Sequence, residues 1–239
     1  MTSNTVLRPH SESDVAKMFD KIAGRYDLMN HLLSLNVDKL WRRALIRSLP
    51  KAPGAALLDV ATGTCDVIIE ALNTRTNFTT IAGADISSGM LEMGRQKLDS
   101  AGFESRVTLE NCSAERLTFN DSAFDAVTIS FGLRNVCDKK KALAEFYRVL
   151  KPSGIVAILE FFTPSNSLFA RAFMFYFEQI LPRIGAMLSD GEAYRYLPKS
   201  VGGFYSAEEL KTLISDQGFA KINETSFLFG ACRLITAKK

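Results

Sequence analysis

Small and acidic residues follow three apolar runs, at the positions where a ligand could be bound. Gly63 follows the run LLDVA, Asp85 ends the run FTTIAGAD, and Ser113 with Ala114 follows the run RVTLENC. A glycine lets the backbone approach a ligand closely, and a carboxylate about 20 residues further on can accept both hydroxyls of a ribose. The order of these residues predicts a cofactor that contains a nucleoside.

The loop DVATGTCD differs from the usual dinucleotide fingerprint, because Gly63 is its only glycine. A pyrophosphate is normally held by the pattern GxGxxG, so a dinucleotide is poorly supported. S-adenosylmethionine (SAM) has only a carboxylate and an ammonium at that end, and the N–H groups of the following helix can hold a carboxylate. We therefore predict SAM, with Asp85 on its ribose and Ser113 and Ala114 framing its adenine. For Asp85 the alternative is an acid that stabilises the helix beginning near Ser87.

Alternating strands and helices must position these residues. Five apolar runs at 55–61, 78–85, 106–112, 123–133 and 155–162 are separated by helical patterns at 66–73, 87–102 and 138–154. Continuously apolar strands in this arrangement are typical of a parallel sheet covered on both faces. Two strand-like runs joined through Gly230 predict a C-terminal antiparallel hairpin. The predicted fold is α/β and Rossmann-like, with Pro152 and Gly154 ending the third helix.

The chain divides into two predicted parts. Residues 1–50 read as an N-terminal helical cap, with Ser11 and Asp14 as its capping pair, and residues 51–239 as the cofactor-binding domain. A helical insertion at about 163–205 is dense in aromatic residues and is placed on the substrate side of the sheet. A buried core helix and an apolar groove for a lipid-like substrate are both open readings of this stretch.

Composition excludes several classes of function. The 239 residues include 29 basic and 26 acidic residues, a net charge of +3 that is too balanced for a protein whose main partner is nucleic acid. Four separated cysteines and two histidines make a zinc site a poor hypothesis, and we expect no metal. The polar N-terminus has no signal-peptide core and no apolar run is long enough to span a membrane, so we expect a cytoplasmic protein.

Longer stretches of the chain resemble one family. The loop, GAD and SAERL resemble class I SAM-dependent methyltransferases, and YDLMNHLLSLNVDKLWRR, FGLRN and RVLKPSGIVAILEF are similar to the menaquinone/ubiquinone C-methyltransferases of the MenG/UbiE family. The resemblance runs from about Asp14 to the C-terminus. It implies a class I methyltransferase sheet and methyl transfer from SAM to a ring carbon of a polyprenylated quinol, foremost demethylmenaquinol.

The resemblance also implies the cofactor contacts. The family's SAM-binding residues correspond here to a set that includes the loop glycine, namely Gly63, Thr64, Asp85, Ser113, Ala114 and Ser130. The loop departs from the family's AGGTGD, because Thr62 and Cys65 replace two glycines. We expect these two side chains to crowd the loop and to lower SAM affinity. The alternative to an enzyme is a binding protein that kept this fold and lost catalysis.

Three residues are predicted to act on the acceptor. A methyl sulfonium is already electrophilic, so the enzyme must align the quinol carbon and raise its electron density by stabilising a phenolate. Arg134 and Asn135 follow the fourth strand and are assigned to the acceptor, where Arg134 either stabilises the phenolate or holds a water that receives the proton. Tyr26 either contacts the ring or the sulfonium or is a core aromatic at a helix boundary. His31 could act as a base, although a capping or surface histidine is the favoured interpretation, and Glu160 is either a second acid group or part of a structural ion pair.

The resemblance leaves the acceptor and the assembly open. A benzoquinol of ubiquinone biosynthesis, 2-methoxy-6-polyprenyl-benzoquinol, and a soluble small molecule are the alternative substrates. A polyprenyl tail implies peripheral contact with the inner face of the cell membrane. A homodimer is compatible with the sequence, and nucleic acid is not an expected partner.

Overall fold

Seven strands form one sheet in the part of the chain that the computed structural model describes, residues 11–27, 37–74, 77–164, 175 and 192–239. The strands are β1 Ala55–Val60, β2 Phe78–Asp85, β3 Val107–Asn111, β4 Phe124–Ser130, β5 Leu150–Phe161, β6 Ala220–Phe227 and β7 Cys232–Lys238. Each predicted strand corresponds to one of these. Strand β1 is buried along its whole length, as expected of a continuously apolar run in a sheet covered on both faces.

The sheet has the strand order β3-β2-β1-β4-β5-β7-β6. The pairs β3–β2, β2–β1, β1–β4 and β4–β5 are parallel, whereas β7 is antiparallel to β5 and β6. The mostly parallel sheet and the C-terminal hairpin are therefore confirmed. The chain reverses its direction of winding between β1 and β4, and in open parallel sheets ligands bind beyond the carboxyl ends of the strands at such a point.

Helices cover both faces of the sheet. In chain order they are α1 Glu12–Ile22, α2 Asp38–Ser48, α3 Asp66–Thr74, α4 Ser88–Ser100, α5 Lys139–Val149, α6 Glu192–Gly202 and α7 Ala207–Asp216. One core lies between the sheet and α5 and α7, and the other lies between the sheet and α2, α3 and α4. Within the described ranges no helix is long and apolar enough to cross a membrane.

Side-chain caps fix where several helices begin. Ser11 accepts a hydrogen bond from the backbone N–H of Asp14, so the predicted capping pair is confirmed. Ser87 accepts one from the backbone N–H of Met90 and caps α4 near the predicted start of that helix. Ser206 and Glu209 form a reciprocal capping box at the start of α7. Such caps satisfy N–H groups that have no partner inside the helix.

The boundary between α5 and β5 differs from the prediction. Helix α5 ends at Val149 and β5 begins at once at Leu150, so Pro152 and Gly154 lie within the strand and do not end the helix. Leu150 pairs with Phe124, and pairing resumes at Ile155 after a register shift. The intervening residues form an irregularity in β5, which accommodates the proline because such a position needs no ladder hydrogen bond.

The predicted insertion is described only in part. Helix α6 lies in its C-terminal portion, and most of the aromatic-rich stretch before it lies outside the described residues. His31 lies outside them as well. The division of the chain into a cap and a cofactor domain stays a prediction.

Candidate cofactor and acceptor site

A cavity opens at the carboxyl edge of the sheet, where β1 and β4 diverge. It encloses about 670 Å³, including space open to solvent. Its walls come from α1 and the residues that follow it, from the loops after β1 to β4, from the first turn of α4 and from the turn before α5. The lining residues are Glu12, Val15, Phe19, Tyr26, Ala61, Gly63, Asp85, Ile86, Met90, Cys112, Ser113, Ala114, Glu115, Ser130, Phe131, Gly132, Asn135, Val136 and Cys137.

The loop after β1 has an unusual backbone. Ala61, Gly63 and Cys65 have φ values of +51°, +55° and +67°, so every second residue is in the left-handed region. Gly63 adopts this conformation without steric cost, and the ring of Tyr26 lies 3.9 Å from the place where a Cβ would be. The loop therefore passes beneath the N-terminal segment with its glycine at the cavity wall.

Asp85 occupies the position expected for a ribose-binding carboxylate. One carboxylate oxygen accepts the backbone N–H of Gly63 at 2.8 Å, and the other accepts that of Ser87 at 2.9 Å. Burial raises the pKa of Asp85 to about 6, with the nearby charge of Asp20 adding to the rise, although the backbone hydrogen bonds lower it. Each oxygen keeps a second lone pair, so the group can still accept ligand hydroxyls.

Ser130 provides an unsatisfied polar atom at the cavity. Its hydroxyl is buried and has no hydrogen-bond partner among the described residues, although Ser130 lines the cavity. A buried polar group without a partner is costly, and a ligand that hydrogen-bonds to it removes that cost. The orphaned hydroxyl, the carboxylate of Asp85 and the glycine at the wall together fit a nucleoside cofactor such as SAM.

Cys65 and Thr62 do not crowd the cavity as expected. Neither residue lines it, and both are buried. A Cβ on Gly94 of helix α4 would lie 2.6 Å from the Cys65 sulfur, so the missing side chain at Gly94 makes room for the cysteine. Burial raises the pKa of the Cys65 thiol to about 12, which keeps it protonated and unreactive.

Thr64 faces a charged cluster and is not among the described residues that line the cavity. Its hydroxyl donates to Asp27 Oδ1 at 2.5 Å, and Lys97 Nζ lies 2.7 Å from Asp27 Oδ2 and 3.2 Å from Thr64 Oγ1. Lys97 also pairs with Asp66, which in turn pairs with Arg42 at 3.1 Å. Burial alone would lower the pKa of Lys97, but the charge of Asp66 and hydrogen bonds to Asp27 and Asp66 raise it.

Two further acidic residues of the N-terminal segment contact loops of the site. Glu12 accepts a hydrogen bond from the Ser113 hydroxyl after β3. Asp20 accepts the Ser87 hydroxyl at 2.6 Å and the Gly89 backbone N–H at 2.9 Å after β2. Asp20 thus sits at the N-terminus of α4, where a negative charge is favourable.

We call residues 12–27 the N-terminal strap, because its acidic side chains reach the loops after β3, β2 and β1 in turn. Val15, Phe19 and Tyr26 of the strap line the cavity, and the rings of Phe19 and Tyr26 pack edge to face with centroids 6.1 Å apart. The position of Tyr26 over the site was predicted from the sequence, whereas the acidic contacts were not. Their partners lie tens of residues away, so no local pattern marks them.

Arg134 is turned toward the sheet. Its Nη1 lies 2.6 Å from Glu160 Oε1 and 2.5 Å from the Phe131 carbonyl oxygen, and its Nε lies 3.3 Å from Ser200 Oγ. The Arg134 and Glu160 side chains are only 7% and 0% exposed. Among the described residues that line the cavity, Asn135 is present and Arg134 is not.

Asn135 and Tyr196 form a polar contact at the cavity wall. Tyr196 of helix α6 donates its hydroxyl to Asn135 Oδ1 at 3.0 Å, and Asn135 Nδ2 lies 3.5 Å from the Phe131 carbonyl oxygen. Burial raises the pKa of Tyr196, so its hydroxyl remains protonated. Within the described ranges no cluster of three or more His, Cys, Asp or Glu residues could hold a metal ion.

Aromatic side chains pack beside the cavity at the ends of three strands. Phe131 and Phe161 are stacked with centroids 4.6 Å apart, and Trp41 of helix α2 contacts both rings and Phe227. No local sequence pattern marks this cluster, because Trp41 and Phe227 are far apart in the chain.

Known proteins resemble this chain over most of its length. The model of the ubiE/COQ5 methyltransferase family matches residues 7–239. A ubiquinone/menaquinone biosynthesis C-methyltransferase UbiE from Geobacter sulfurreducens is 43% identical over 94% of this chain and 88% of that protein. A demethylmenaquinone methyltransferase from Bacteroides fragilis is 38% identical over 98% of this chain and 97% of that protein.

The fold also matches solved structures. The crystal structure of a SAM-dependent methyltransferase from Thermotoga maritima superposes with a TM-score of 0.64 at 19% identity, covering 93% of this chain and 99% of that chain. At this level of identity the match concerns the fold alone, and it is the fold predicted from the alternating strands and helices.

Proposed function

The chain belongs to the ubiE/COQ5 methyltransferase family, and we propose that it transfers a methyl group from SAM to a ring carbon of demethylmenaquinol, a polyprenylated quinol. The family match over residues 7–239 carries this proposal. The relative named demethylmenaquinone methyltransferase is matched over nearly its whole length, which supports the naphthoquinol among the family's substrates.

The residues at the cavity wall suit SAM. Asp85 would accept hydrogen bonds from the ribose hydroxyls, and the buried hydroxyl of Ser130 would hydrogen-bond to the ligand. Gly63 would let the loop backbone approach the ligand closely. Ser113 and Ala114 would frame the adenine from the loop after β3. When bound, SAM supplies an electrophilic methyl group on a sulfonium. Thr64 contributes indirectly, through its hydrogen bond to Asp27 of the strap.

The residues after β4 suit the acceptor. A quinol ring carbon becomes a better nucleophile when its neighbouring hydroxyl is ionised, so a donor that stabilises the phenolate lowers the barrier. Asn135 lines the cavity with its amide, whereas Arg134 holds the turn through Glu160 and the Phe131 carbonyl. We assign phenolate stabilisation to Asn135 and positioning of the turn to Arg134. Tyr26 remains the proposed contact for the ring or the sulfonium.

Two exposed apolar side chains support contact with a membrane surface. Phe229, at the tip between β6 and β7, is 70% exposed, and Leu40 of helix α2 is 59% exposed. Both lie at the carboxyl edge of the sheet, because β6 ends there and Trp41, next to Leu40, packs against Phe227. A bilayer in contact with this edge would bring a lipid-dissolved quinol to the mouth of the cavity.

The experiment is a methyl-transfer assay with SAM labelled on its methyl group. Short-tailed demethylmenaquinol and the corresponding benzoquinol, each kept reduced, are supplied separately, and Asp85→Ala serves as the control that lacks the ribose carboxylate. We expect label in the naphthoquinol product at the higher kcat/KM. Binding of SAM without label transfer to either quinol would overturn the proposal. Transfer to the benzoquinol alone would assign the protein to the ubiquinone branch.

A further inference from the structure

The contact between Tyr196 and Asn135 joins the described part of the insertion to the acceptor side of the cavity. Helix α6 supplies Tyr196, whose hydroxyl donates to Asn135 Oδ1 at 3.0 Å. One turn further along the same helix, Ser200 Oγ lies 3.3 Å from Arg134 Nε. Helix α6 therefore contacts both members of the Arg134–Asn135 pair, which the sequence analysis assigned to the acceptor without identifying α6.

The contact determines which end of the Asn135 amide faces the cavity. An asparagine amide has an acceptor oxygen and a donor nitrogen, and its two orientations are nearly isosteric. The Tyr196 hydroxyl donates a hydrogen bond to the amide oxygen, and the Phe131 carbonyl oxygen lies 3.5 Å from the amide nitrogen. Both neighbours favour the same orientation. The nitrogen carries two N–H groups, so one remains for a ligand in the cavity that Asn135 lines.

We propose that Tyr196 is a positioning residue, which orients the Asn135 amide so that it presents an N–H donor to the hydroxyl oxygen of the acceptor. This inference rests on the proposed function and deepens it. A phenolate needs a donor, and a flipped amide would present an oxygen that repels it. Because burial keeps the Tyr196 hydroxyl protonated, the orientation is maintained at neutral pH.

The proposal explains why a helix of the insertion reaches back to the turn after β4. Asn135 is only 8% exposed. Among the hydrogen bonds of the described residues, the donor to its amide oxygen is Tyr196 of α6, and the turn that carries Asn135 supplies none. An amide held by the 3.5 Å contact alone would be poorly fixed, since hydrogen bonds of that length are weak. Tyr196 is thus the residue on which the amide orientation depends.

The test uses Tyr196→Phe in the full chain, which removes one hydroxyl and keeps the ring. Tyr205→Phe is the matched control, because Tyr205 is an exposed tyrosine that precedes α7 and does not line the cavity. Single-turnover methylation of short-tailed demethylmenaquinol is measured at saturating SAM between about pH 6 and pH 9, a range that spans ordinary enzyme assays. The SAM dissociation constant is measured by calorimetry.

We expect Tyr196→Phe to reduce the methylation rate about tenfold or more at neutral pH, less than the ~10²–10³-fold loss of a whole oxyanion donor. The acidic limb of the rate profile should move to higher pH, since the phenolate is less stabilised. SAM affinity and the Tyr205→Phe rate should match wild type. In the Asn135→Ala background, Tyr196→Phe should have no further effect, since the two residues act as a unit.

Three results would overturn the inference. They are a wild-type rate and pH profile in Tyr196→Phe, an equal loss of rate from Tyr196→Phe in the wild-type protein and in Asn135→Ala, or a loss of rate that weaker SAM binding explains. If Tyr196→Phe does not fold, Asn135→Asp replaces it, because a carboxylate cannot donate and should lower the rate at least as strongly. A wild-type rate in that variant would likewise overturn it. Failure of the proposed function is distinguishable, because the wild-type protein itself would then methylate no quinol.

Discussion

The carboxylate of Asp85 combines two properties that ordinarily oppose each other. It is buried, which raises its pKa to about 6, yet it accepts two backbone N–H groups that favour its charged form. The charged form is the better acceptor for ribose hydroxyls and the better partner for a cationic cofactor. Affinity for SAM should therefore depend on pH in the range where this group titrates.

We expect the SAM dissociation constant to rise as pH falls below about 6, because the free protein then carries a protonated Asp85. Asp85→Asn should weaken binding roughly 10- to 150-fold, the equivalent of one charge-assisted hydrogen bond of about 1.5–3 kcal/mol, and should flatten the profile. Calorimetry between pH 5 and pH 8, roughly the working range of such proteins, measures both. Asp59, whose pKa burial raises to about 7 but which does not line the cavity, provides the control Asp59→Asn. A pH step that survives in Asp85→Asn would contradict the assignment.

Arg134 and Glu160 form a buried ion pair that fixes the position of the turn that carries Asn135. Removing one partner of a buried pair typically costs about 3–5 kcal/mol, because the other charge stays buried without compensation. Arg134→Ala should therefore lower the thermal unfolding midpoint as well as the methylation rate, whereas Arg134→Ala with Glu160→Gln should recover stability but not rate. The measurements are thermal unfolding and single-turnover methylation at saturating SAM. A stable Arg134→Ala variant with a strongly reduced rate would instead indicate direct contact with the acceptor.

At the scale of elements, the N-terminal strap is held over the cofactor cavity by acidic contacts. Asp20 anchors α1 to the start of α4, and Gly89 allows this because a Cβ there would lie 3.0 Å from Asp20 Oδ1. Asp27 anchors the other end of the strap through Thr64 and Lys97. A ligand beneath the strap can leave more easily when these contacts are weakened.

We expect Asp20→Ala to raise the dissociation rate of SAM about tenfold, since one or two hydrogen bonds to a charged group contribute roughly 1.5 kcal/mol or more. Stopped-flow displacement measures this rate, and hydrogen exchange of residues 12–27 reports whether the strap opens more often. Asp99→Ala is the matched control, because Asp99 is exposed near the end of α4. Faster exchange with an unchanged dissociation rate would show that opening of the strap does not limit release.

The elements were predictable where a continuous local pattern determines them. Each apolar run became a strand, and Ser11 and Ser87 became helix caps, because these signals lie within a few adjacent residues. The end of α5 was not predicted, since pairing of Leu150 with β4 outweighs the helix-ending signal of Pro152. Local pattern therefore determines which elements form, and tertiary pairing determines where some of them end.

The site was predictable only along the strand ends. Asp85 and Gly63 follow a known order in the chain, so their meeting at the cavity could be expected. Lys97 with Asp27, and Tyr196 with Asn135, are separated by 70 and 61 residues, and no periodicity connects them. The fit of Cys65 against Gly94 is of the same kind, because it depends on how α4 packs against the loop.

At the scale of the whole molecule, the carboxyl edge of the sheet carries the cavity, the aromatic cluster around Trp41 and two exposed apolar side chains. Phe229 has a φ of +54°, a conformation that a bulky residue rarely adopts, and its side chain is exposed. Exposure of a single apolar residue needs no explanation, but here Phe229 and Leu40 lie at the edge where a lipid-dissolved acceptor must enter. Their burial in a bilayer would contribute about 1.5–3 kcal/mol each if complete.

This arrangement predicts that the double substitution Leu40→Ser with Phe229→Ser weakens binding to vesicles by at least about tenfold, since each side chain contributes more than the 1.4 kcal/mol that equals one decade. Sedimentation with anionic phospholipid vesicles measures the binding. Turnover of a long-tailed quinol dissolved in the same vesicles should fall in parallel. Turnover of a short-tailed quinol in solution should stay at the wild-type level, because neither residue lines the cavity, and this second acceptor is the control for folding. Equal losses on both acceptors would place the defect inside the protein, and unchanged vesicle binding would remove these two residues from the membrane contact.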